Sequence, residues 1–152
     1  MNNKIIKENT FEKVRKETQN AKKENQVIIF TSDDDELNRK VLEKLQIDIL
    51  LLNQRNRKDF QKQRNSGLNH VLAKIAKKNK IAIGINLDEI IESSSKQKSE
   101  ILARVKQNIK LCNKNKLKMK SIAQKKQNER NIYDLKSLGL ILGMPTWMTK
   151  EL

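Results

Sequence analysis

The sequence predicts an α/β fold, in which a parallel sheet of about four to five strands is flanked by helices. Two observations indicate it. Short apolar runs that are typical of buried strands recur along the chain, and segments with apolar residues at helical spacing lie between them. This alternation predicts βαβ units with right-handed crossovers, in a sheet that either curls into a partial TIM-like barrel or stays open.

Four runs are predicted strands because they are short, bounded by polar residues and rich in leucine or β-branched residues. They are residues 27–30 (VIIF), 47–52 (IDILLL), 81–87 (IAIGINL) and, least clearly, 117–123 (LKMKSIA). In the last run apolar residues alternate with lysine. Gly84 interrupts the third run, which indicates a place where another backbone packs closely.

Five segments have a helical pattern: residues 10–23, 36–45, 68–78, 99–114 and 133–142. Short polar residues stand at or near three of their starts, namely Ser66, Ser99 and the aspartates at 33–35, where they can cap free backbone N–H groups. Gly143 and Pro145 end the last helix. We expect a charged N-terminal helix over residues 1–24, a partial β/α barrel domain over 25–146 and a tail over 147–152.

The chain is strongly basic, with 33 Lys and Arg against 18 Asp and Glu in 152 residues, a formal charge of +15. Such a charge attracts polyanions, nucleic acid first and an anionic membrane surface second. No apolar run approaches the ~20 residues of a spanning helix, and no signal peptide is recognisable. A single cysteine excludes a disulfide framework. We therefore expect a cytoplasmic protein with no membrane association.

The aspartates at 33–35 and His70 are the two candidates for a metal-binding or catalytic site. The aspartates at 33–35 follow a predicted strand and could bind Mg²⁺, but no second acidic cluster completes a ligand shell, so capping is favoured. His70 is the only histidine, and a zinc site or a catalytic triad needs further ligands or a nucleophile that no motif supplies. We expect His70 to make a polar or RNA contact from the first turn of a helix, or to pack structurally.

Basic residues cluster at 55–64 (RNRKDFQKQR) and 110–130. Both clusters fall on or near strand-to-helix connections, which gather at one edge of a parallel sheet, so we expect them to converge in space. Only five aromatic residues exist, and none forms a paired stacking platform. Contacts to RNA phosphates are therefore favoured over base stacking.

Four ordered segments resemble one family. The stretch at 64–87, RNSGLNHVLAKIAKKNKIAIGINL, is similar to the central signature of ribonuclease P protein component 3. The family's Asn-Arg helix and the strand after it resemble the stretch LNRKVLEKLQIDILLLN. A later helix and strand of the family resemble SEILARVKQNIKLCNKNKLKMKSIA, and its closing helix resembles IYDLKSLGLILGMP. Asn65, Gln63 and Gly84 depart from the family pattern, and the chain is shortened at both ends relative to it.

The resemblance implies a partial TIM-like barrel related to polymerase-and-histidinol-phosphatase domains, without their metal-binding histidines. It implies a non-catalytic subunit of ribonuclease P, the RNA-based endoribonuclease whose RNA removes the 5′ leader of precursor tRNA with Mg²⁺. No active site and no cofactor are expected in this chain, although its classification as an enzyme stays uncertain. The implied partners are ribonuclease P RNA, precursor tRNA, a small ferredoxin-like protein and the other protein subunits.

RNA contact is expected at seven residues. The resemblance implies the first five and the charge pattern adds the last two: Arg39, Arg64, His70, Lys106, Arg130, Lys125 and Lys126. Four or five strands cannot close an eight-stranded barrel, so we expect another chain, a second copy or the leading helix to cover the open edges. The alternatives are a generic Lys-rich RNA- or DNA-binding protein and a metal-dependent hydrolase of the related barrel.

Overall fold

The computed structural model describes residues 2–152 and contains one sheet of five parallel strands in the order β1-β2-β3-β4-β5. The strands are β1 (Asn3–Ile6), β2 (Val27–Thr31), β3 (Ile49–Leu52), β4 (Ala82–Asn86) and β5 (Met119–Ile122). Each strand pairs in register with the next along the chain, for example Ile6 with Phe30 and Leu50 with Ile83. This is the predicted fold class, and its strand order is that of a partial barrel.

Seven helices connect or follow the strands. They are α1 (Phe11–Lys23), α2 (Asp35–Lys44), α3 (His70–Lys78), α4 (Leu87–Glu92), α5 (Ser95–Lys114), α6 (Ile132–Ile141) and α7 (Thr146–Thr149), with a 3-10 turn at Lys126–Asn128. Because the strands are in sequential order, right-handed crossovers place the connecting helices on one face of the sheet. The main core lies between that face and the helices and includes Phe30, Leu50, Ile83, Ile101 and Ile109.

The opposite face of the sheet has a smaller cluster formed by strand residues alone. Ile29, Ile49 and Leu51 are its buried members. At Gly84 an added Cβ would lie 2.9 Å from Leu51 Cδ1 and 3.1 Å from Ile49 Cγ2. Glycine is therefore needed where residues of β3 pack closely against β4, as the glycine in this apolar run indicated.

The structure refines several predicted elements and adds others. β5 confirms the weak strand at 117–123, whereas Leu87, predicted at the end of a strand, begins α4. Helix α5 begins at Ser95, four residues before the expected start at 99, so Ser99 lies within the helix and is not its cap. Strand β1 and helices α4 and α7 were not predicted from the sequence. All three are only four to six residues long, so their periodicity is too brief to read.

Both ends of the chain pack against the sheet or the core. The segment 1–24, predicted as a charged helix, contains β1 as well as α1, and β1 forms one side of the sheet. Helix α1 packs against β1, β2 and α2 on the helix-covered face, so it does not cover a sheet edge. Met148 and Thr149 in the segment 147–152 are buried. The domain limits at residues 24 and 146 stay predictions.

Candidate nucleic-acid interface at the carboxyl edge of the sheet

The carboxyl ends of all five strands surround one cleft of about 920 Å³. Parallel α/β folds commonly form binding sites at this edge. Its lining residues are Lys7, Asn9, Thr31, Ser32, Asp33, Asp34, Asn53, Arg55, Asn56, Asn86, Asp88, Glu89, Glu92, Gln124 and Lys125. Carboxylates outnumber cations here although the whole chain is basic, so the cleft itself is a poor site for phosphate.

The carboxylates after β4 hold neighbouring loops in place. Glu89 accepts backbone hydrogen bonds from Gln54 (2.7 Å) and Arg55 (3.2 Å), which fixes the start of the loop after β3. Burial raises the pKa of Glu89, and these hydrogen bonds oppose that rise. Asn86 caps α4 by accepting from the N–H groups of Asp88 and Glu89.

Asp88 and Glu92 bind the loop after β5. Asp88 accepts from the Gln124 N–H (2.8 Å) and from Asn128 Nδ2 (2.7 Å). Glu92 accepts from Asn128 Nδ2 (2.8 Å) and from Lys125 Nζ (2.7 Å), and these bonds lower the pKa of Glu92. These carboxylates are therefore used in structural contacts, and within residues 2–152 no group of three or more His, Cys, Asp or Glu is arranged to hold a metal ion.

The three aspartates at 33–35 have separate structural partners. Asp34 caps α2 by accepting from the N–H groups of Glu36 (2.9 Å) and Leu37 (3.2 Å), which confirms the predicted cap. Asp33 accepts from Asn53 Nδ2 at 3.0 Å. Asp35 forms a two-bond ion pair with Arg57, at 2.9 and 3.0 Å.

The basic loop between β3 and α3, residues 53–69, is organised by Arg104 of α5. The Arg104 side chain is buried, at 4% exposure. Its guanidinium donates to Asp59 Oδ1 (3.0 Å) and to the backbone carbonyls of Gln54 (2.9 Å) and Arg57 (2.7 Å). Three separate points of the loop are thereby fixed to one buried cation, so the loop is held in a defined shape.

Further side chains of α5 bind the second half of the loop. Gln107 donates to the carbonyl of Arg64 (3.0 Å) and to Ser66 Oγ (3.2 Å), and Asn108 donates to the Ser66 carbonyl (3.3 Å). Asp59 also accepts from Arg64 Nη1 at 3.1 Å. The hydrogen bond from Arg104 is the main cause of a lowered pKa at Asp59.

The Ser-Gly pair at 66–67 has a structural role that involves Arg57. Gly67 has a φ of +75°, and an added Cβ would lie 2.5 Å from Arg57 Nη2. Glycine therefore lets the Arg57 guanidinium lie against the backbone while it pairs with Asp35. The Arg57 side chain is only 9% exposed, so this arginine is a structural residue of the loop and presents little charge to solvent.

His70 begins α3, as expected, and is exposed. The predicted cap Ser66 is replaced by Asn69, whose side chain accepts from the Leu72 N–H at 2.9 Å. Ser66 lies in the preceding loop, where it is buried. An exposed imidazole at the start of a helix beside the basic loop is compatible with an RNA contact, which stays a prediction.

The other predicted RNA-contact residues divide into two groups. Arg64, Lys125, Lys126 and Arg130 lie on loops that follow β3 or β5, at the same edge as His70. Arg39 and Lys106 lie within α2 and α5 and are exposed. Arg39 pairs with Glu43 (2.9 Å) and Lys125 with Glu92, so neither cation is free of intramolecular partners.

The sequence analysis did not identify Arg104, Gln54 or Asp59 as determinants of the loop. One signal existed for Arg104. It stands between Ile101 and Val105 and one turn before Asn108 on the apolar face of α5, where a charged side chain must find a buried partner. The partners lie about 50 residues earlier in the chain, so the sequence alone could not name them.

Among the described residues, no helix is long and apolar enough to span a membrane.

A family model described as RNase P subunit p30 matches residues 5–152. Ribonuclease P protein component 3 of Methanococcus maripaludis strain C7 is 32% identical over 107 residues, which cover 70% of this chain and 42% of the relative. The protein of the same name from Methanosarcina mazei is 38% identical over 88 residues, 58% of this chain and 34% of the relative. The chain therefore spans less than half the length of these relatives.

Two longer matches extend over nearly the whole chain. Ribonuclease P protein component 3 of Methanocaldococcus jannaschii is 25% identical over 147 residues, 95% of this chain and 61% of the relative. A chain in a cryo-EM structure of archaeal ribonuclease P with mature tRNA superposes with a TM-score of 0.77 at 22% identity, covering 96% of this chain and 62% of that one. At this identity the superposition establishes the fold.

Proposed function

Because the chain belongs to the RNase P subunit p30 family, we propose that it is a non-catalytic protein subunit of ribonuclease P. It would bind the catalytic RNA and support removal of the 5′ leader from precursor tRNA. The observation that carries the proposal is the family match over residues 5–152. A generic basic protein has no reason to have four family segments in order, so family membership favours this function over the generic alternative.

The organised basic loop supports the proposal physically. Arg64 lies within the loop that Arg104 holds in a defined shape, and His70 directly follows that loop. Lys126 and Arg130 lie on the loop after β5 at the same edge. Cations on a preformed surface lose less conformational entropy when they bind an RNA backbone. We propose that these four residues, with Arg39, Lys106 and Lys125, contact RNA.

The remaining partners follow from the family. We propose that the protein functions beside ribonuclease P RNA, precursor tRNA, a small ferredoxin-like protein and the other protein subunits, in the cytoplasm. The chain itself would bind no cofactor, and Mg²⁺ would be used by the RNA. β1 and β5 each pair with one strand among residues 2–152, and we propose that a second chain or a second copy completes the sheet.

Binding to two RNAs tests the proposed function against generic binding. The dissociation constant for cognate ribonuclease P RNA is compared with that for an unrelated folded RNA of equal length. Arg64→Ala and Arg130→Ala should each weaken cognate binding more than Lys16→Ala, a control in the middle of α1. The generic alternative would be supported if the chain bound both RNAs with equal affinity and all three variants lost the same amount of that affinity.

Light scattering after size exclusion tests the open sheet. A mass above that of one chain, or a complex with another subunit, agrees with completion of the sheet by further polypeptide. A stable, well-folded monomer that binds none of the other subunits contradicts it.

A further inference from the structure

The amino edge of the sheet, opposite the cleft, has a surface of exposed lysines. In a parallel α/β fold every helix that crosses between strands ends at this edge, so residues at helix C-termini and in the turns that follow come together. We call the following nine residues the lysine edge: Lys22, Lys23, Lys44, Lys77, Lys78, Lys80, Lys114, Lys116 and Lys118. None of them is among the seven residues predicted to contact RNA, although Lys114, Lys116 and Lys118 belong to the basic cluster at 110–130.

Hydrogen bonds between the turns make this surface continuous. Lys22 Nζ donates to Gln46 Oε1 (2.6 Å), which joins the end of α1 to the turn before β3. Asn79 Nδ2 donates to the Leu42 carbonyl (2.7 Å) and joins α3 to α2. Lys77 Nζ donates to the Lys116 carbonyl (2.7 Å) and joins α3 to the turn before β5. Four helix ends are therefore linked, over roughly 24–30 Å at 8–10 Å between neighbouring helices.

Three acidic residues near this edge are already bound within the chain, whereas Glu24, which directly follows α1, is exposed and forms no ion pair within residues 2–152. Glu43 pairs with Arg39, and Asp48 accepts from the Ile28 N–H at 2.7 Å. Glu151 pairs with Lys118 at 2.7 Å. By contrast Lys44, Lys78 and Lys80, which line a shallow cleft of about 380 Å³, form no ion pair or side-chain hydrogen bond within residues 2–152. The surface therefore keeps a positive excess.

The helix dipole explains only part of the lysine edge. Cations in the last turn of a helix are stabilising, which accounts for Lys22, Lys23, Lys44, Lys77, Lys78 and Lys114. It does not account for Lys80, Lys116 and Lys118, which lie beyond the helices; of these, Lys118 pairs with Glu151. Lys80 and Lys116 have positive φ, +58° and +55°, in turns where glycine or asparagine is the usual residue.

The equivalent turn after α1 has asparagine in this conformation, Asn25 with a φ of +53°. Lysine at the other two turns therefore carries a conformational cost that asparagine would reduce, and no contact of either Nζ with a carboxylate offsets it. The Lys116 Nζ lies 5.4 Å from the centre of the Trp147 ring, which holds the charge over the surface.

From this arrangement we infer that the lysine edge is a second RNA-binding surface, which holds the phosphate backbone of an RNA duplex without reading its sequence. The inference rests on the proposed function for the identity of the polyanion. The surface is a row of cations with one aromatic ring, and its amides Gln46 and Asn79 make hydrogen bonds within the chain. Such a surface fits phosphates, and duplex RNA is recognised chiefly through its backbone and shape. With the carboxyl-edge residues on the opposite side, one chain could hold two RNA segments.

Substitution of the two strained lysines provides a sharp test. In the full chain, Lys80→Asn with Lys116→Asn removes two charges and introduces a residue that tolerates positive φ, so the melting temperature should hold or rise. Binding to a fluorescent RNA duplex of arbitrary sequence is measured over a range of salt concentrations. The slope of log Kd against log salt should fall in magnitude by about 2, near 1 for each lost phosphate contact.

The matched control is Lys16→Gln with Lys40→Gln, which removes the same charge from the middles of α1 and α2. A clearly smaller change in slope for this control agrees with the inference, and equal changes in both double variants overturn it. The failure of each proposal can be recognised separately. If the chain binds cognate and unrelated RNA equally well but the lysine-edge variant still lowers the salt slope, only the proposed function is rejected. If the double variant of Lys80 and Lys116 leaves the salt slope unchanged and the chain still prefers cognate RNA, only the second RNA-binding surface is rejected.

Discussion

The Arg104 guanidinium donates to the Asp59 carboxylate at 3.0 Å across 45 residues of chain, and this buried cation holds the basic loop against α5. Its other two donors satisfy the backbone carbonyls of Gln54 and Arg57. The contact connects the helix core to the loop proposed to bind RNA, so the shape of that loop depends on one side chain that is itself inaccessible to RNA.

Replacement of Arg104 should destabilise the protein. Arg104→Met removes the Arg104 donor from two backbone carbonyls and one of the three donors of the Asp59 carboxylate, so we expect the free energy of unfolding to fall by about 2–3 kcal/mol. Urea denaturation followed by circular dichroism measures it. Lys110→Met, at an exposed position of the same helix, is the control and should change the free energy by less than about 0.5 kcal/mol. Equal effects would mean that Arg104 does not hold the loop.

The same pair gives a pH dependence. The hydrogen bond from Arg104 lowers the pKa of Asp59 below its ordinary value of 3.8. A lowered folded-state pKa contributes stability that is complete above the unfolded value and is lost as the pH falls through the folded value. Asp59→Asn should therefore be less stable than the wild type at pH 6, and the difference should narrow below about pH 4. A difference that stays constant from pH 6 to pH 2.5 would contradict this assignment.

Gly84 should tolerate no side chain. In Gly84→Ala the new Cβ would lie 2.9 Å from Leu51 Cδ1 and 3.1 Å from the Leu51 Cα, so β3 and β4 must shift apart. We expect a loss of about 1–3 kcal/mol in the free energy of unfolding, typical of overpacking. Ser121→Ala, on the neighbouring strand β5, adds no atoms and serves as the control. A stabilised Gly84→Ala variant would show that the two strands are less tightly packed.

Cys112 should be unreactive in the folded protein. Burial raises the pKa of its thiol to about 12, so the thiolate is almost absent near neutral pH. With a thiol reagent at pH 8, labelling should be slow in buffer and fast in denaturant. Rapid labelling of the native protein would indicate that α5 opens locally.

Much of the fold could be predicted because its pattern is local. The runs at 27–30, 47–52 and 81–87 are almost entirely apolar, as buried parallel strands are, and the helices between them have clear periodicity. β5 was predictable only as a weak strand, because its polar residues Lys120 and Ser121 lie at the sheet edge and are half-exposed. β1 could not be found, since only two of its four residues are apolar.

The site was less predictable because it depends on contacts between distant residues. Parallel topology correctly brings the cluster at 55–64 and the residues after β5 to one edge, but Lys114, Lys116 and Lys118 of the cluster at 110–130 lie at the opposite edge, so the predicted convergence of the whole second cluster was wrong. The sequence did not indicate that acidic residues of α4 hold both loops, because Glu89 and Asp88 bind segments 34 to 40 residues away. The lysine edge likewise needs the structure, since its members come from four separate helix ends that the sequence presents as scattered lysines.

Reconstituted cleavage tests the proposed function most directly. Cognate ribonuclease P RNA, the other protein subunits and precursor tRNA are combined with and without this chain, and release of the 5′ leader is followed across Mg²⁺ concentrations. If the chain is a ribonuclease P subunit, its omission should lower the cleavage rate or raise the Mg²⁺ requirement, and adding it back should restore both. The proposal would be contradicted if cleavage were the same with and without the chain at every Mg²⁺ concentration while the chain still bound arbitrary RNA.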